Sequence, residues 1–322
     1  MSLYRKVVWY AKGLKEFTKQ GYEAAAKSFS PSDLDVDVTG QSFMITGANS
    51  GLGKCAALDI AKRGGTVHMV CRNEERAEQA KQEIIAASGN QNVHVHILDM
   101  SQPRKVFAFA KEFQASGQQL NVLVNNAGCM IHERTLDADG LESNFATNTL
   151  GTHILTVGLI PLLSRQTGEK PRVITVSSGG MYVQKLDPKD LSFEHMRPFD
   201  GTMAYAQNKR QQVIMTEEYA KIYPNIQFSS MHPGWADTPA VQSAMPEFRA
   251  KMEGKLRTVE EGADTITWLA ISKAALQQTS GAFFQDRKAV NTHLPLAWSK
   301  SSKEDRALLM KTLDELTKKF SS

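Results

Sequence analysis

Gln41-Ser-Phe-Met-Ile-Thr-Gly-Ala-Asn-Ser-Gly-Leu-Gly53 and the ten residues after it, Lys54-Cys-Ala-Ala-Leu-Asp-Ile-Ala-Lys-Arg63, read as a strand, a glycine turn and a helix. The apolar run ending at Thr46 is short enough to be a buried strand, and the helical periodicity that follows stops before Gly64-Gly65. Glycines serve where the chain must turn tightly and where backbone must approach a pyrophosphate. The next helix then presents its N-terminal dipole and free N–H groups to that anion. The spacing here is Gly47-x-x-x-Gly51-x-Gly53 rather than Gly-x-Gly-x-x-Gly, and between a strand and a helix it predicts dinucleotide binding.

Outward from this unit the alternation repeats. Short apolar runs predict further strands near 66–71, 93–98, 120–125, 172–177 and 226–231, with a short last one near 282–284. Helical periodicity predicts helices near 51–63, 74–87, 102–115, 139–165, 202–222 and 259–271. Such alternation builds an α/β fold, a Rossmann-type doubly wound parallel sheet covered on both faces, with ligands beyond the carboxyl ends of the strands. Thr46, Cys71-Arg72, Asp99, Asn125, Ser178 and His232-Pro233 each close a predicted strand, which places them along one crevice. The expected division is a helical N-terminal extension over 1–38, a single NAD(P)-binding catalytic domain over 39–290 and a C-terminal tail over 291–322.

Chemistry gathers downstream, where Tyr205 and Lys209 stand four apart in Gly201-Thr-Met-Ala-Tyr-Ala-Gln-Asn-Lys209. Positions i and i+4 share one helix face, so phenol and ammonium converge on one small volume. The ammonium field favours phenolate and is expected to pull the tyrosine pKa down from about 10 toward working pH. A tyrosine so tuned exchanges a proton with an alcohol or carbonyl. Ser178, at the tip of Arg172-Val-Ile-Thr-Val-Ser-Ser178, is expected to hydrogen-bond the same oxygen while a nicotinamide ring handles hydride at the adjacent carbon. Alone, a Tyr-x-x-x-Lys pair reads as an exposed helix pair; order and context favour the chemistry.

Further motifs accompany these. Asn125-Asn-Ala-Gly128 follows the strand Leu120-Asn-Val-Leu-Val124, Asn148 stands in Phe145-Ala-Thr-Asn-Thr-Leu-Gly151, and Pro233-Gly-Trp-Ala-Asp-Thr238 follows the sixth strand. With these, the chain resembles the short-chain dehydrogenase/reductase family from about Gly40 to about Ala289. The resemblance implies a catalytic tetrad of Asn148, Ser178, Tyr205 and Lys209, in which Asn148 holds a water linking Lys209 to solvent; Asn148 reads equally as a residue that kinks its helix. It implies cofactor contacts from Gly47, Asn49, Ser50, Gly51, Leu52 and Gly53 in the turn, and from Arg72, Asp99 and Met100 beyond the second and third strands. Asn126, Ala127, Gly128, Tyr205, Lys209, Pro233, Gly234 and Thr238 complete that set. Asp99 matches the residue set against the adenine, or it caps the helix beginning near Gln102.

Cofactor choice is read after the second strand. An acidic residue there would hold a ribose 2′-hydroxyl, whereas Val67-His-Met-Val-Cys-Arg72 ends in a cysteine and an arginine, and arginine suits a 2′-phosphate. Ser50 departs from the second basic residue that the NADP pattern often carries, yet the reading favours NADP over NAD. Between Ser178 and Tyr205 lie twenty-six residues, an interval similar to the retinol-dehydrogenase-like branch and containing Met181, Tyr182, Phe193, Met196 and Phe199. After Thr238, Val241, Met245, Phe248 and Met252 follow at helical spacing. Such walls suit a lipophilic carbonyl or alcohol such as a sterol, retinoid or fatty aldehyde, or they pack a lid onto its own protein.

With 322 residues and 41% hydrophobic content the chain can bury a large core. A net charge of +4 without basic-aromatic interleaving gives no reason to expect nucleic acid. Cys55, Cys71 and Cys129 are far apart and lack metal spacing, so neither a disulfide nor a metal site is expected, and a reducing, cytoplasmic setting is. Leu3, Val7, Tyr10, Leu14 and Phe17 draw an apolar stripe among Arg5, Lys6, Lys12, Lys15 and Lys19. Residues 1–30 hold six basic and two acidic side chains, and the helix they predict either docks peripherally on an anionic membrane or folds back on the domain. The run Val7–Ala11 is too short to span a bilayer. Leu308, Leu309, Leu313 and Leu316 predict a last amphipathic helix, packed on the domain or in a homo-oligomer interface. The function expected is NADP-dependent interconversion of an alcohol and a carbonyl. The alternatives are a cofactor-holding scaffold or sensor, against which the complete tetrad argues, and an epimerase, disfavoured by the glycine spacing.

Overall fold

The computed structural model describes residues 3–321. At its centre lie β1 (Ser42–Thr46), β2 (Thr66–Cys71), β3 (Val93–Ile97), β4 (Val122–Asn125), β5 (Arg172–Val176), β6 (Gln227–His232), β7 (Phe283–Gln285) and β8 (Lys288–Val290). They form one sheet in the order β3-β2-β1-β4-β5-β6-β7-β8. β1 to β7 pair in parallel, and all residues of β1, β4, β5 and β6 are buried, as strands covered on both faces must be. The chain leaves β1 in one direction for β2 and β3 and returns on the other side for β4, which makes the β1–β4 boundary the switch point.

β8 lies outside the sequence expectation. It returns antiparallel to β7 through Asp286 and Arg287, whose φ values of +50° and +58° suit a two-residue hairpin. Such turns announce themselves by Asn-Gly or Asp-Gly, and this one carries neither. Ion pairs hold it instead: Asp286 with Arg257 at 2.6 Å and Arg287 with Asp264 at 2.5 Å, all four side chains almost fully buried.

The helices longer than one turn are α1 (Leu3–Glu16), α2 (Lys19–Ala26), α3 (Gly51–Ala61), α4 (Glu74–Ser88), α5 (Pro103–Ala115), α6 (Ser143–Leu163), α7 (Gly201–Ile222), α8 (Pro239–Ala244), α9 (Pro246–Lys251), α10 (Val259–Ile271) and α11 (Lys303–Phe320). One face of the sheet packs on α3, α4 and α10 through Ala57, Ile60, Ala80, Ile266 and Leu269. The other packs on α5, α6 and α7 through Val106, Phe113, Leu155, Leu159 and Ile214. α6 is long and apolar enough to cross a membrane, but 78% of its most apolar window is buried, as in a core helix.

A third cluster joins Phe17 to Met181, Tyr182, Trp235, Met252 and Leu294. The amino-terminal helices therefore fold back on the domain, and the predicted stripe splits. Phe17 is fully buried and Tyr10 half-buried, whereas Leu3, Val7 and Leu14 face outward. The cause is Gly13, where a Cβ would sit 2.3 Å from the Trp235 ring, so α1 docks through its glycine and not along its leucines. α11 packs on the domain through Leu309, Leu313 and Phe320, with Leu308 and Leu316 half-buried beside them.

Candidate active site

The glycine turn of 47–53 closes β1 as the spacing predicts. Gly47 and Gly51 have φ of +67° and +52°, a region that side chains disfavour. A Cβ on Gly53 would come within 2.5 Å of both Asn126 Nδ2 and Gly47 O, so the turn packs directly on the β4 loop. Thr46 Oγ1 ties the two together, accepting from Asn126 N at 3.0 Å and Ala127 N at 2.9 Å. Ser50 makes no side-chain cap bond, which leaves the first N–H groups of α3 open to an anion.

A cleft of about 1520 Å³ opens along the carboxyl edge of the sheet. Of the residues predicted for the site, Gly47, Asn49, Ser50, Gly51, Leu52, Arg72, Asp99, Met100, Asn126, Ala127, Gly128, Ser178, Tyr205, Lys209, Pro233, Gly234 and Thr238 all line it. Gly53 and Asn148 stand one layer behind. Asp99 caps nothing: its Oδ1 accepts from Ser101 N and Oγ at 2.9 and 2.8 Å, and Gln102 occupies the cap position of α5. Thr238 caps α8 by accepting from Val241 N.

Arg72 is exposed at the end of β2, and one helical turn on Arg76 lines the same wall. Sequence reasoning sought the second basic group at Ser50 and missed Arg76. Its signal was Asn73, which caps α4 by accepting from Arg76 N at 2.8 Å and so fixes that first turn beside the cleft. Among the described residues, neither arginine is engaged in an ion pair.

The catalytic candidates meet at one point. Ser178, extended beyond β5, accepts from Gly180 N at 3.1 Å, which leaves its O–H free to donate, and it stands near enough to the Tyr205 phenol to lower its pKa. Lys209 Nζ lies 5.3 Å from the centre of the Tyr205 ring and donates to Val176 O at 2.8 Å and Gln212 Oε1 at 3.0 Å. The expected acidification of the phenol is not what this geometry gives. Burial pushes Tyr205 up to about 12, with Ser178 pulling the other way, and burial draws Lys209 down to about 8. Desolvation dominates both groups, and the ammonium spends its bonds on Val176 O and Gln212 Oε1.

Asn148 lies in a π-helical stretch of α6, Ala146–Gly151. Its amide holds the β4 loop, accepting from Cys129 N and donating to Cys129 O, both at 2.8 Å. Its main-chain carbonyl accepts from Gln212 Nε2 at 2.6 Å. Gln212 therefore bridges Lys209 to the Asn148 main chain. Three residues beyond Lys209 on the same helix face, Gln212 was open to detection by spacing, but a glutamine carries no titratable signal.

The far half of the cleft is mostly apolar. Val241, Met245 and Phe248 line it, with His132 Nε2 2.7 Å from Ala244 O to hold α8 against the β4 loop. Met252 is buried under α1, and Met181, Tyr182 and Phe193 are buried in the core, so the long interval after Ser178 packs inward and presents only its ends, such as Val183 and Met203. Lys6, Val7, Trp9, Tyr10, Ala11 and Leu14 of α1 form the remaining wall. Sequence reasoning did not place α1 in the site. Cys129, half-buried with its thiol pushed up by burial, packs against Ser143 O and Asn144.

The profile of the short chain dehydrogenase family matches residues 41–186. The chain is 58% identical over 320 residues to human dehydrogenase/reductase SDR family member 12, covering 99% of this chain and all of that one. Retinol dehydrogenase 11 of Mus musculus is 32% identical over 261 residues, 78% of this chain and 79% of its own. A short chain dehydrogenase of Escherichia coli CFT073, solved in complex with NADPH, superposes with a TM-score of 0.62 at 22% identity over 80% of this chain and 100% of its own. With the glycine turn, the switch-point cleft and identity along nearly its whole length, the chain belongs to the short-chain dehydrogenase/reductase family of oxidoreductases.

Proposed function

We propose that the protein interconverts a lipophilic alcohol and its carbonyl, with NADP as the preferred nicotinamide cofactor. One observation carries the reading: Ser178, Tyr205 and Lys209 converge where a polar, glycine-walled half of the cleft meets an apolar half. The polar half fits a dinucleotide, since Gly53 has no room for a Cβ and the first turn of α3 offers unbonded N–H groups. Arg72 and Arg76 would hold the 2′-phosphate, Asp99 and Met100 the adenine side, and Asn126 to Gly128 with Pro233, Gly234 and Thr238 the remainder. A nicotinamide bound there supplies or accepts hydride.

The protein's own groups handle the proton. In reduction Tyr205 Oη gives its hydrogen to the substrate oxygen, and in oxidation it takes that proton back. The Ser178 O–H donates to the same oxygen and steadies the charge that develops on it. Lys209 stabilises the phenolate left behind. Gln212, itself held by the Asn148 carbonyl, holds Lys209 in place. Val241, Met245, Phe248 and the inner side of α1 enclose the apolar part of the substrate.

The test is consumption of NADPH by a panel of lipophilic aldehydes and ketones. Tyr205→Phe should abolish turnover, by at least about a hundredfold given the usual size of general acid catalysis, while leaving NADPH affinity within about twofold. Arg72→Ala with Arg76→Ala should weaken NADPH far more than NADH. Turnover that survives Tyr205→Phe would overturn the proton assignment. A wild-type chain that binds NADPH yet turns over nothing on the panel would favour a cofactor-holding scaffold.

A further inference from the structure

Nine large apolar side chains are exposed among the described residues, and six of them, Leu3, Tyr4, Val7, Leu14, Leu296 and Trp298, lie on α1 or on the loop bonded to it. Single exposed apolar residues need no explanation; six that fall on one helix and the loop bonded to it do. Leu3, Val7 and Leu14 share one side of α1 at helical spacing. The loop is built with equal regularity, because Leu294 and Ala297 point inward and are buried while Leu296 and Trp298 are 77% and 85% exposed. Both exposed residues hold positive φ, +53° and +52°, a conformation that side chains rarely adopt and that here turns them outward.

α1 fixes this loop. Tyr4 Oη donates to Pro295 O at 2.8 Å, and Arg5 donates to Ala297 O at 2.7 Å and to Trp298 O at 3.3 Å. The exposed charges of α1 beside the patch have one sign. Lys6 and Lys15 flank the apolar stripe on either side and are exposed, and the helix's one acid, Glu16, is paired with Lys12. An apolar stripe bordered by lysines, with a tryptophan and a tyrosine at its edge, is complementary to a bilayer whose headgroups are anionic.

We infer that the outer side of α1 and the loop 295–298 form a preformed docking surface for an anionic lipid bilayer. The surface adjoins the active site, since Val7 and Leu14 of the same stripe also line the cleft. Docking there sets the apolar half of the cleft at the lipid boundary, and a membrane-dissolved substrate enters without crossing water. This purpose rests on the lipophilic-substrate reading; the surface itself does not.

The full-length chain tests the inference by flotation with vesicles of phosphatidylcholine alone and of phosphatidylcholine with phosphatidylserine. Binding should be several-fold greater to the mixed vesicles and should fall with added salt. Leu3→Glu, Leu296→Glu and Trp298→Glu combined, none of which lines the cleft, should weaken it at least tenfold, and Lys15→Glu should weaken it on mixed vesicles only. NADPH affinity and turnover of a small water-soluble aldehyde without vesicles should stay as in the wild type, which shows the variants fold. A wild-type chain that ignores both vesicles, or a triple variant that still floats, overturns the docking surface. A wild-type dimer that the triple variant converts to a monomer overturns it in favour of a contact between copies. Vesicle binding without turnover would instead sink the enzymatic reading and leave the surface standing.

Discussion

At the scale of single residues, the proton chemistry is governed by burial more than by charge pairing. Tyr205 rises to about 12 and so stays protonated throughout the working range, while Lys209, drawn down to about 8, is the group that titrates near it. In the proposed mechanism, reduction needs the ammonium to stabilise the phenolate left by proton donation. kcat/KM for carbonyl reduction should therefore fall as pH rises through about 8. Gln212 Oε1 accepts from the ammonium and favours its charged form, so Gln212→Leu should move that fall to lower pH. A pH–rate profile with its alkaline limb near 10, unmoved by Gln212→Leu, would contradict this and restore an unperturbed tyrosine. That Tyr205, Lys209 and Ser178 would share one cleft was legible because their order along the chain places them at strand ends and on one helix face. Their pKa values were not, because desolvation depends on what packs around them.

At the scale of elements, legibility followed the periodicities. β1, β2, β4, β5 and β6 sit within about two residues of their predicted bounds, since strands buried on both faces read as short continuous apolar runs. β8 escaped because Asp286-Arg287 gives no turn signal, its positive φ values being held by ion pairs made far along the chain. α1 shows a different limit. Its spacing revealed which residues share a face, but the docking direction is set by Gly13, which in sequence reads only as a weak helix position. Gly13→Leu should therefore undock α1. Its Cβ would meet Trp235 Cζ2 and Cη2 at 2.3 and 2.4 Å, and overpacking of this kind costs about 1–3 kcal/mol. Urea unfolding should show that loss, and KM for a lipophilic carbonyl should rise as α1 leaves the cleft wall. Unchanged stability with unchanged KM would mean that α1 does not shape the site.

At the scale of the molecule, one buried arginine joins the parts that the sequence presents as separate segments. Arg257, 1% exposed, forms a two-pronged pair with Asp286 at 2.6 and 3.0 Å, which fixes the β7–β8 turn. The same guanidinium donates to Glu16 O at 2.7 Å and Thr18 O at 3.3 Å, closing the carboxyl end of α1, and to Pro233 O at 3.3 Å in the loop after β6 that lines the cleft. Gly234 follows at φ +77°, where a Cβ would lie 2.2 Å from Arg257 Nε, so the loop lies flat against the arginine only because that residue is glycine. Phe17 extends the connection. Its main-chain oxygen accepts from Trp235 N at 2.7 Å, and its ring meets His232 edge-on at 4.4 Å, while His232 Nδ1 accepts from Gly179 N beside Ser178. The amino-terminal helix is thus coupled both to the loop after β6 and to the turn that holds Ser178. Removing Arg257 leaves the Asp286 carboxylate buried without its partner, and breaking such a pair from one side costs about 3–5 kcal/mol. Arg257→Met should lower the urea midpoint accordingly, and Asp286→Asn in the same chain should recover part of the loss by removing the stranded charge. If the coupling reaches the site as the bonds imply, Arg257→Met with Asp286→Asn should still bind NADPH more weakly than the wild type after stability is regained, because Pro233 has lost its donor. NADPH affinity equal to wild type in that double variant would show that the cofactor loop keeps its shape without the arginine.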